Sequence, residues 1–228
     1  MAVAPSQASR RRERGSTLTE AAFVTFPFFF IIFGIMEMGF LFRNYLTVSN
    51  TAAEASRAAS VYGSNEDADY QILQSAKHGI AAMGAEQLDF IVIWRASGPG
   101  DTVPTACFPA NGGTQGPYIG GGGSGSPDPA TQPAYDPTVI ECNTYRNGDL
   151  FLALEDSAGN PTDTFGCKGL SGSRDMGWCP IIRFDAVSDP PDYVGIYVQS
   201  EHRYLTGFLK DTSTLTSTKI VRIEPENN

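Results

Sequence analysis

A run of 22 residues, Ala21 to Phe42, constrains this chain more than any other feature because it contains a single charged residue, Glu37. At 1.5 Å per residue, a helix of that length reaches about 33 Å, close to the hydrocarbon thickness of a bilayer. A cleavable secretory signal has a shorter apolar core of roughly 7–15 residues. A segment that resembles a signal-peptidase site, residues 53–55, begins eleven residues past Phe42, too far from the run. The run therefore predicts an uncleaved membrane-spanning helix.

The charge distribution predicts how this helix is oriented. Residues 1–43 carry five arginines against three glutamates, whereas residues 44–228 carry eleven basic against twenty-two acidic side chains. Basic residues that flank a span stay cytoplasmic, so we expect a single-pass cell-membrane protein with a cytoplasmic N-terminus and an extracytoplasmic C-terminal domain. Residues 1–15 form the basic leader, of which residues 1–13 are predicted to be disordered. The acidic outer part offers no basic patch, and direct nucleic acid binding is not expected.

The helix is predicted to continue beyond the bilayer without a break, over residues 16–63 in all. Apolar residues recur at alternating steps of four and three, the spacing of a helix face that packs on a partner. This seam consists of Leu41, Tyr45, Val48, Ala52, Ala55, Ala59 and Tyr62. We expect its outer half to pack against the chain's own domain, and Gly63 to end the helix.

Residues 64–228 are predicted to form an α+β domain. A second helix begins with Ser64 as its N-cap and closes at Gly84. Its buried face consists of Ile72, Leu73, Ala76, Ile80 and Met83. Branched and aromatic residues predict strands over 88–96, 193–202 and 215–223. A short helix is expected over 147–154 and a brief extended piece over 180–184. The architecture is thus a long N-terminal helix packed on a small antiparallel sheet.

Residues 98–137 contain ten glycines and eight prolines and are predicted to form a long irregular loop. Within it, Gly120, Gly122 and Gly125 match G-x-G-x-x-G. No strand precedes the match and no helix follows it in the predicted structure, so it does not indicate a phosphate site. The loop is interpreted as a flexible linker or a surface display loop.

Four cysteines follow the predicted span: Cys107, Cys142, Cys167 and Cys179. An even number on the outer side of a membrane predicts two disulfides, for which three connectivities exist. A zinc site is the alternative, but the C-x-x-C spacing that it favours is missing. Sequence neighbourhood favours the pairs Cys107–Cys142 and Cys167–Cys179, so that disulfides tie the loops of the domain.

Two carboxylates lie at or within the predicted membrane span. Glu20 lies at its cytoplasmic boundary, within helical reach of Ser16 and Thr17, where the helix dipole favours negative charge. Glu37 lies inside the apolar run, where a carboxylate costs on the order of 2.5–3.5 kcal/mol on insertion scales. The nearest basic residue, Arg43, lies on a different face of the helix. We therefore expect Glu37 to contact another protein helix, the alternative being that it snorkels toward the interface.

Three segments stand in a distinctive order along the first quarter of the chain. They are Arg14-Gly15-Ser16-Thr17-Leu18-Thr19-Glu20 with the later Pro27, Gly34-Ile35-Met36-Glu37-Met38-Gly39, and Asn50-Thr51-Ala52-Ala53-Glu54-Ala55-Ser56-Arg57-Ala58-Ala59. In this order, the segments resemble the N-terminal region of TadE-like proteins, which are minor-pilin-like components of the Tad (Flp) pilus machinery. The resemblance covers about a fifth of the chain, and the combination of segments is more specific than any one of them. A less specific likeness to longer family members covers residues 192–196 and 206–208.

The resemblance implies a pilin-like fold and a processing step. In pilin-like proteins the prepilin peptidase, a membrane aspartyl protease, cuts after a glycine on the cytoplasmic side and leaves a glutamate at mature position five. Here the cut falls between Gly15 and Ser16, and Glu20 is that glutamate. Family members usually carry an aromatic residue directly after it, whereas two alanines precede Phe23 in this chain. The implied partners are the membrane, the prepilin peptidase, and other pilins or pilus-machine subunits, with Glu20 and Glu37 as candidate subunit contacts.

The sequence does not favour catalysis, a cofactor or a metal. His78 and His202 stand in no close metal-ligand spacing, and neither G-x-S-x-G nor an EF-hand loop occurs. We therefore expect a protein that is not an enzyme and binds no cofactor.

Two function hypotheses share the predicted topology. The first is a minor pilin or pilus-assembly component that acts by helix–helix association in the membrane or in surface pili. The alternative is a membrane-anchored extracellular adhesin or ligand-binding protein that uses the glycine-rich loop. Loss of pili in Glu20→Ala favours the first, whereas loss of surface binding after deletion of residues 110–134 favours the second.

Overall fold

The computed structural model describes residues 7–109, 141–147, 165–167, 175, 177–185, 191–207 and 210–224, with side chains from residue 18 onward except at position 85. The fold is α+β, as predicted. Its helices are α1 (Gln7–Tyr62) and α2 (Ala68–Ile80), and its strands are β1 (Leu88–Ala96), β2 (Cys142–Arg146), β3 (Tyr193–Arg203) and β4 (Thr212–Arg222). The chain divides into two compact units: residues 1–43 with 204–211, and residues 44–203 with 212–228.

Helix α1 begins earlier than predicted. Residues 7–13 are helical, so the prediction of disorder over residues 1–13 is wrong for this part. Arginine, glutamate and alanine are good helix formers, and extending an existing helix fixes one residue for each hydrogen bond gained. The predicted end is confirmed, because α1 stops at Tyr62. A Cβ on Gly63 would lie 2.6 Å from both the Ala59 carbonyl oxygen and Ile223 Cγ1, so the chain needs glycine there.

In the second unit, α1 buries its small residues. Besides Asn44, the buried set consists of Val48, Thr51, Ala52, Ala55, Ser56, Ala58 and Ala59. Tyr45 and Tyr62, which the predicted seam included, are 52% and 40% exposed. At Thr51, α2 approaches α1 closely, because a Cβ on Gly79 would lie 2.6 Å from Thr51 Oγ1. The small side chains of α1 suit this close approach.

Helix α2 buries the predicted face, but its start differs from the prediction. Asp67, not Ser64, is the N-cap residue. The Ser64 hydroxyl instead donates a hydrogen bond to Asp185 at 2.6 Å. The helix ends at Ile80, and Gly84 follows with a φ of +102°, a conformation that favours glycine.

The sheet is antiparallel, with strand order β2-β1-β3-β4. Strand β1 has the predicted bounds, whereas β2 is a strand that the sequence reasoning missed. The segment Pro180–Ile182 forms a short 3₁₀ helix, so the predicted extended piece is wrong there. Strand β4 begins at Thr212, three residues before the prediction. Of the predicted helix over 147–154, residue 147 is helical and the remainder lies outside the described residues.

Both predicted disulfides are confirmed. The bond Cys107–Cys142 joins the start of β2 to a 3₁₀ turn, and Cys167–Cys179 closes a shorter loop. The segment that the first disulfide encloses contains most of the predicted glycine-rich loop, of which residues 110–137 lie outside the described residues.

Candidate functional site: the apolar segment of α1 and its carboxylates

The apolar part of α1 exposes large hydrophobic side chains along most of its length. Phe23 and Phe26 are 81% and 79% exposed, and Leu18 is 73% exposed. In the most apolar window of this helix, only 6% of the residues are buried. Soluble proteins rarely leave such a contiguous apolar surface in water. By length and composition, α1 can cross a membrane, which is consistent with a single-pass membrane protein.

The predicted cleavage site lies within α1. Gly15 and Ser16 are helical, and the side chains of Ser16 and Thr17 are outside those described. Glu20 is described and exposed. The cleavage and the subunit contact of Glu20 therefore stay predictions.

Glu37 has a partner within its own chain. Its side chain is almost fully buried, at 2% exposure, although its neighbours Met36 and Met38 are about half exposed. The backbone N–H of Thr206 donates a hydrogen bond to Glu37 Oε1 at 2.6 Å. The premise that Glu37 needs a foreign helix to satisfy it does not hold, because a segment 169 residues away supplies the donor. Contact between Glu37 and another subunit stays a prediction without that premise.

The partner segment, residues 204–211, connects β3 to β4 and belongs to the same unit as the apolar part of α1. The Tyr204 N–H donates to the Asp211 carbonyl at 3.1 Å, which closes the base of the turn. Gly207 has a φ of +65°, a conformation that favours glycine. Leu205 is 73% exposed. Sequence reasoning noticed residues 206–208 only as a weak family likeness and assigned them no role.

The second unit contains a buried polar network around Asp69, which is 0% exposed. Its carboxylate accepts hydrogen bonds from Tyr145 Oη at 2.6 Å and Asn143 Nδ2 at 2.7 Å, and forms an ion pair with Arg183 at 2.6 Å. Burial raises the pKa of the Tyr145 phenol well above its ordinary value, and the nearby Asp69 charge adds to the rise. The Arg183 guanidinium lies 4.2 Å above the Trp178 ring. This network joins α2, β2 and the segment around Cys179, which is a structural role.

The two histidines lie in different surroundings. The His78 ring is exposed and lies 2.8 Å from the Gln74 carbonyl. His202 is buried, with Nδ1 at 2.8 Å from Asn44 Nδ2. Within the described part of the chain, no group of three or more His, Cys, Asp or Glu residues could hold a metal ion.

The segment that carries Glu20 and Glu37 matches a known protein family. Residues 15–57 match the family of TadE-like proteins. This TadE-like segment starts at Gly15, contains Glu20 and Glu37, and ends at Arg57, so the resemblance drawn from the sequence is confirmed. The match supports a component associated with the Tad pilus and with the subunits of its machinery. No curated protein and no solved structure matches the chain.

Proposed function

We propose that this chain is a minor pilin or a membrane-held assembly component of the Tad (Flp) pilus. The proposed role is structural, not catalytic: α1 associates with helices of other subunits in the membrane or the filament. The observation that carries the proposal is the TadE-like match over residues 15–57, which coincides with the exposed apolar part of α1.

Anchoring follows from the cost of exposing α1 to water. Fully burying a Phe, Leu or Met side chain is worth about 1.5–3 kcal/mol, and α1 leaves more than a dozen large apolar side chains exposed. A bilayer or a bundle of neighbouring helices covers such a surface. The arginines before the span favour a cytoplasmic N-terminus. The two disulfides support an extracytoplasmic location for the second unit, because disulfides persist in oxidising compartments.

Assembly would use the mature N-terminus and Glu20. Cleavage by the prepilin peptidase between Gly15 and Ser16 would remove the four arginines of the leader and create a new α-amine at Ser16. A carboxylate can pair with the α-amine of a neighbouring subunit, and such charge-assisted bonds are strong in a low-dielectric helix bundle. We assign this contact to Glu20, whose side chain is exposed, and not to Glu37, which the chain's own backbone engages.

The test replaces Glu20 with alanine in cells that assemble pili. We expect loss of pili in electron micrographs, because the subunit would lose its pairing carboxylate, while the variant still fractionates with the membrane. Glu54→Ala is the matched control: Glu54 lies on the same helix, is exposed, and pairs with Arg57 three residues away. Normal piliation in Glu20→Ala would contradict the proposal. Immunogold labelling of sheared filaments then separates a minor pilin, which labels the filament, from a component held in the membrane.

A further inference from the structure

The turn between β3 and β4 carries a feature that the proposed pilus role does not use. In the first unit, the Thr206 N–H is bound to Glu37, and the large apolar side chain next to it, Leu205, is 73% exposed. We propose that residues 204–207 form a second membrane contact, in which Leu205 enters the outer interface of the bilayer and Glu37 holds the turn there. This inference rests on the proposed anchoring of α1.

The depth of the turn follows from the position of Glu37. Glu37 lies five residues before Phe42, the predicted end of the span, which is about 7.5 Å along the helix axis. The headgroup layer adds roughly 5–8 Å on each side of the hydrocarbon core. Because the Thr206 nitrogen lies 2.6 Å from the Glu37 carboxylate, it shares the depth of that carboxylate. The turn therefore lies about 7.5 Å inside the predicted outer end of the span, among the acyl chains directly beneath the headgroup layer, and so does the adjacent Leu205.

The hydrogen bonds of the turn suit this environment. A backbone N–H costs several kcal/mol when it is left without a partner in hydrocarbon. The Thr206 N–H has Glu37 as its acceptor, and the Tyr204 N–H has the Asp211 carbonyl. The Thr206–Glu37 bond also gives this carboxylate a backbone donor within the apolar segment, so one contact meets two requirements. Leu205 then has acyl chains as its natural neighbour, since it projects from a turn that is bound to the apolar segment.

The experiment places a tryptophan at the exposed position, Leu205→Trp, in the full chain reconstituted into phosphatidylcholine vesicles. The two native tryptophans, Trp94 and Trp178, are buried in the second unit, and their emission is measured in the wild type and subtracted. Vesicles with bromine on the acyl chains near the headgroups serve as the quencher. Thr218→Trp, at an exposed position of β4 in the second unit, is the matched control.

In Leu205→Trp, we expect the emission of the introduced indole to shift to shorter wavelength and to be quenched by brominated lipid. In Thr218→Trp, the introduced indole should stay water-like and unquenched. Adding Glu37→Ala to Leu205→Trp should abolish the quenching, whereas adding Glu37→Gln, which keeps a carbonyl acceptor, should retain it. Unchanged quenching after the addition of Glu37→Ala would overturn the role of Glu37.

Flotation of the vesicles shows whether a negative result contradicts only the membrane contact of the turn or also the anchoring of α1. If all variants float but the indole introduced by Leu205→Trp is water-like and unquenched, the membrane contact of the turn is wrong and the anchoring of α1 stands. If even the wild type fails to float, the anchoring itself is wrong, and the inference about the turn fails with it.

Discussion

Replacing Arg183 with methionine should strongly destabilise the second unit, because it leaves the Asp69 carboxylate buried without a counter-charge. Both side chains are 0% exposed, and Arg183 approaches Asp69 to 2.6 Å. Among the described residues, Asp69 then keeps the neutral donors of Tyr145 and Asn143. Methionine preserves much of the arginine stem, so the lost charge and hydrogen bonds dominate the effect over lost packing.

Burial determines the expected magnitude. Removing one partner of a buried ion pair costs about 3–5 kcal/mol. For a chain of this size, that corresponds to a fall in the melting temperature of about 6–20 °C. Arg57→Met is the matched control, since Arg57 also pairs with a carboxylate at 2.8 Å but with side chains that are 74% and 53% exposed. An exposed pair of this kind contributes only about 0.3–0.5 kcal/mol.

The assay is thermal unfolding of the full chain in detergent micelles, followed by tryptophan fluorescence. Trp178 reports on the network directly, because its ring lies under the Arg183 guanidinium. We expect a large drop in the midpoint for Arg183→Met and almost none for Arg57→Met. Equal shifts in the two variants would refute the reasoning that burial, not the short distance, gives the Arg183–Asp69 pair its importance.

Two further predictions concern the second unit. Gly195→Ala should destabilise it by about 1–3 kcal/mol in urea unfolding, because the new Cβ would overlap the buried Trp94 indole. Gly98→Ala is the control and should be neutral, because its Cβ meets nothing within 4 Å. Equal effects of the two substitutions would contradict the close packing of Gly195 on Trp94. Because burial beside Asp69 raises the Tyr145 pKa, the folded chain keeps its phenol proton where the unfolded chain releases it, so stability should fall above about pH 10. Tyr145→Phe should make urea midpoints less sensitive to pH in that range, and an unchanged slope would contradict this.

The local sequence pattern predicted correctly those elements in which the buried positions carry apolar residues. Strand β1 has nine residues, most of them apolar and branched or aromatic, and its bounds are as predicted. Strand β2 has the sequence CNTYR, in which polar residues obscure the strand signal. Its first four residues are buried because β1 pairs with it and because the Asn143 amide bonds Asp69 and the Trp178 carbonyl. Long-range contacts of that kind leave no local pattern.

The same distinction between local pattern and long-range contact applies to the candidate site. The apolar length of α1 and the segment that carries Glu20 could be recognised in the sequence, since both are contiguous. The partner of Glu37 could not, because it is the backbone N–H of Thr206, and any residue except proline offers such a donor. The exposure of Tyr45 and Tyr62 was missed as well, because periodicity indicates a face of a helix but not which of its residues the rest of the chain covers.

The central claim, a pilin-like component that is processed and held in the membrane, is tested most directly by the mass of the protein's N-terminus. The protein would be extracted from the membranes of piliated cells and its N-terminal peptide identified by mass spectrometry. The account predicts Ser16 as the first residue, with Gly15 and the arginines before it removed. A chain that retains residues 1–15 in cells that make pili would contradict it.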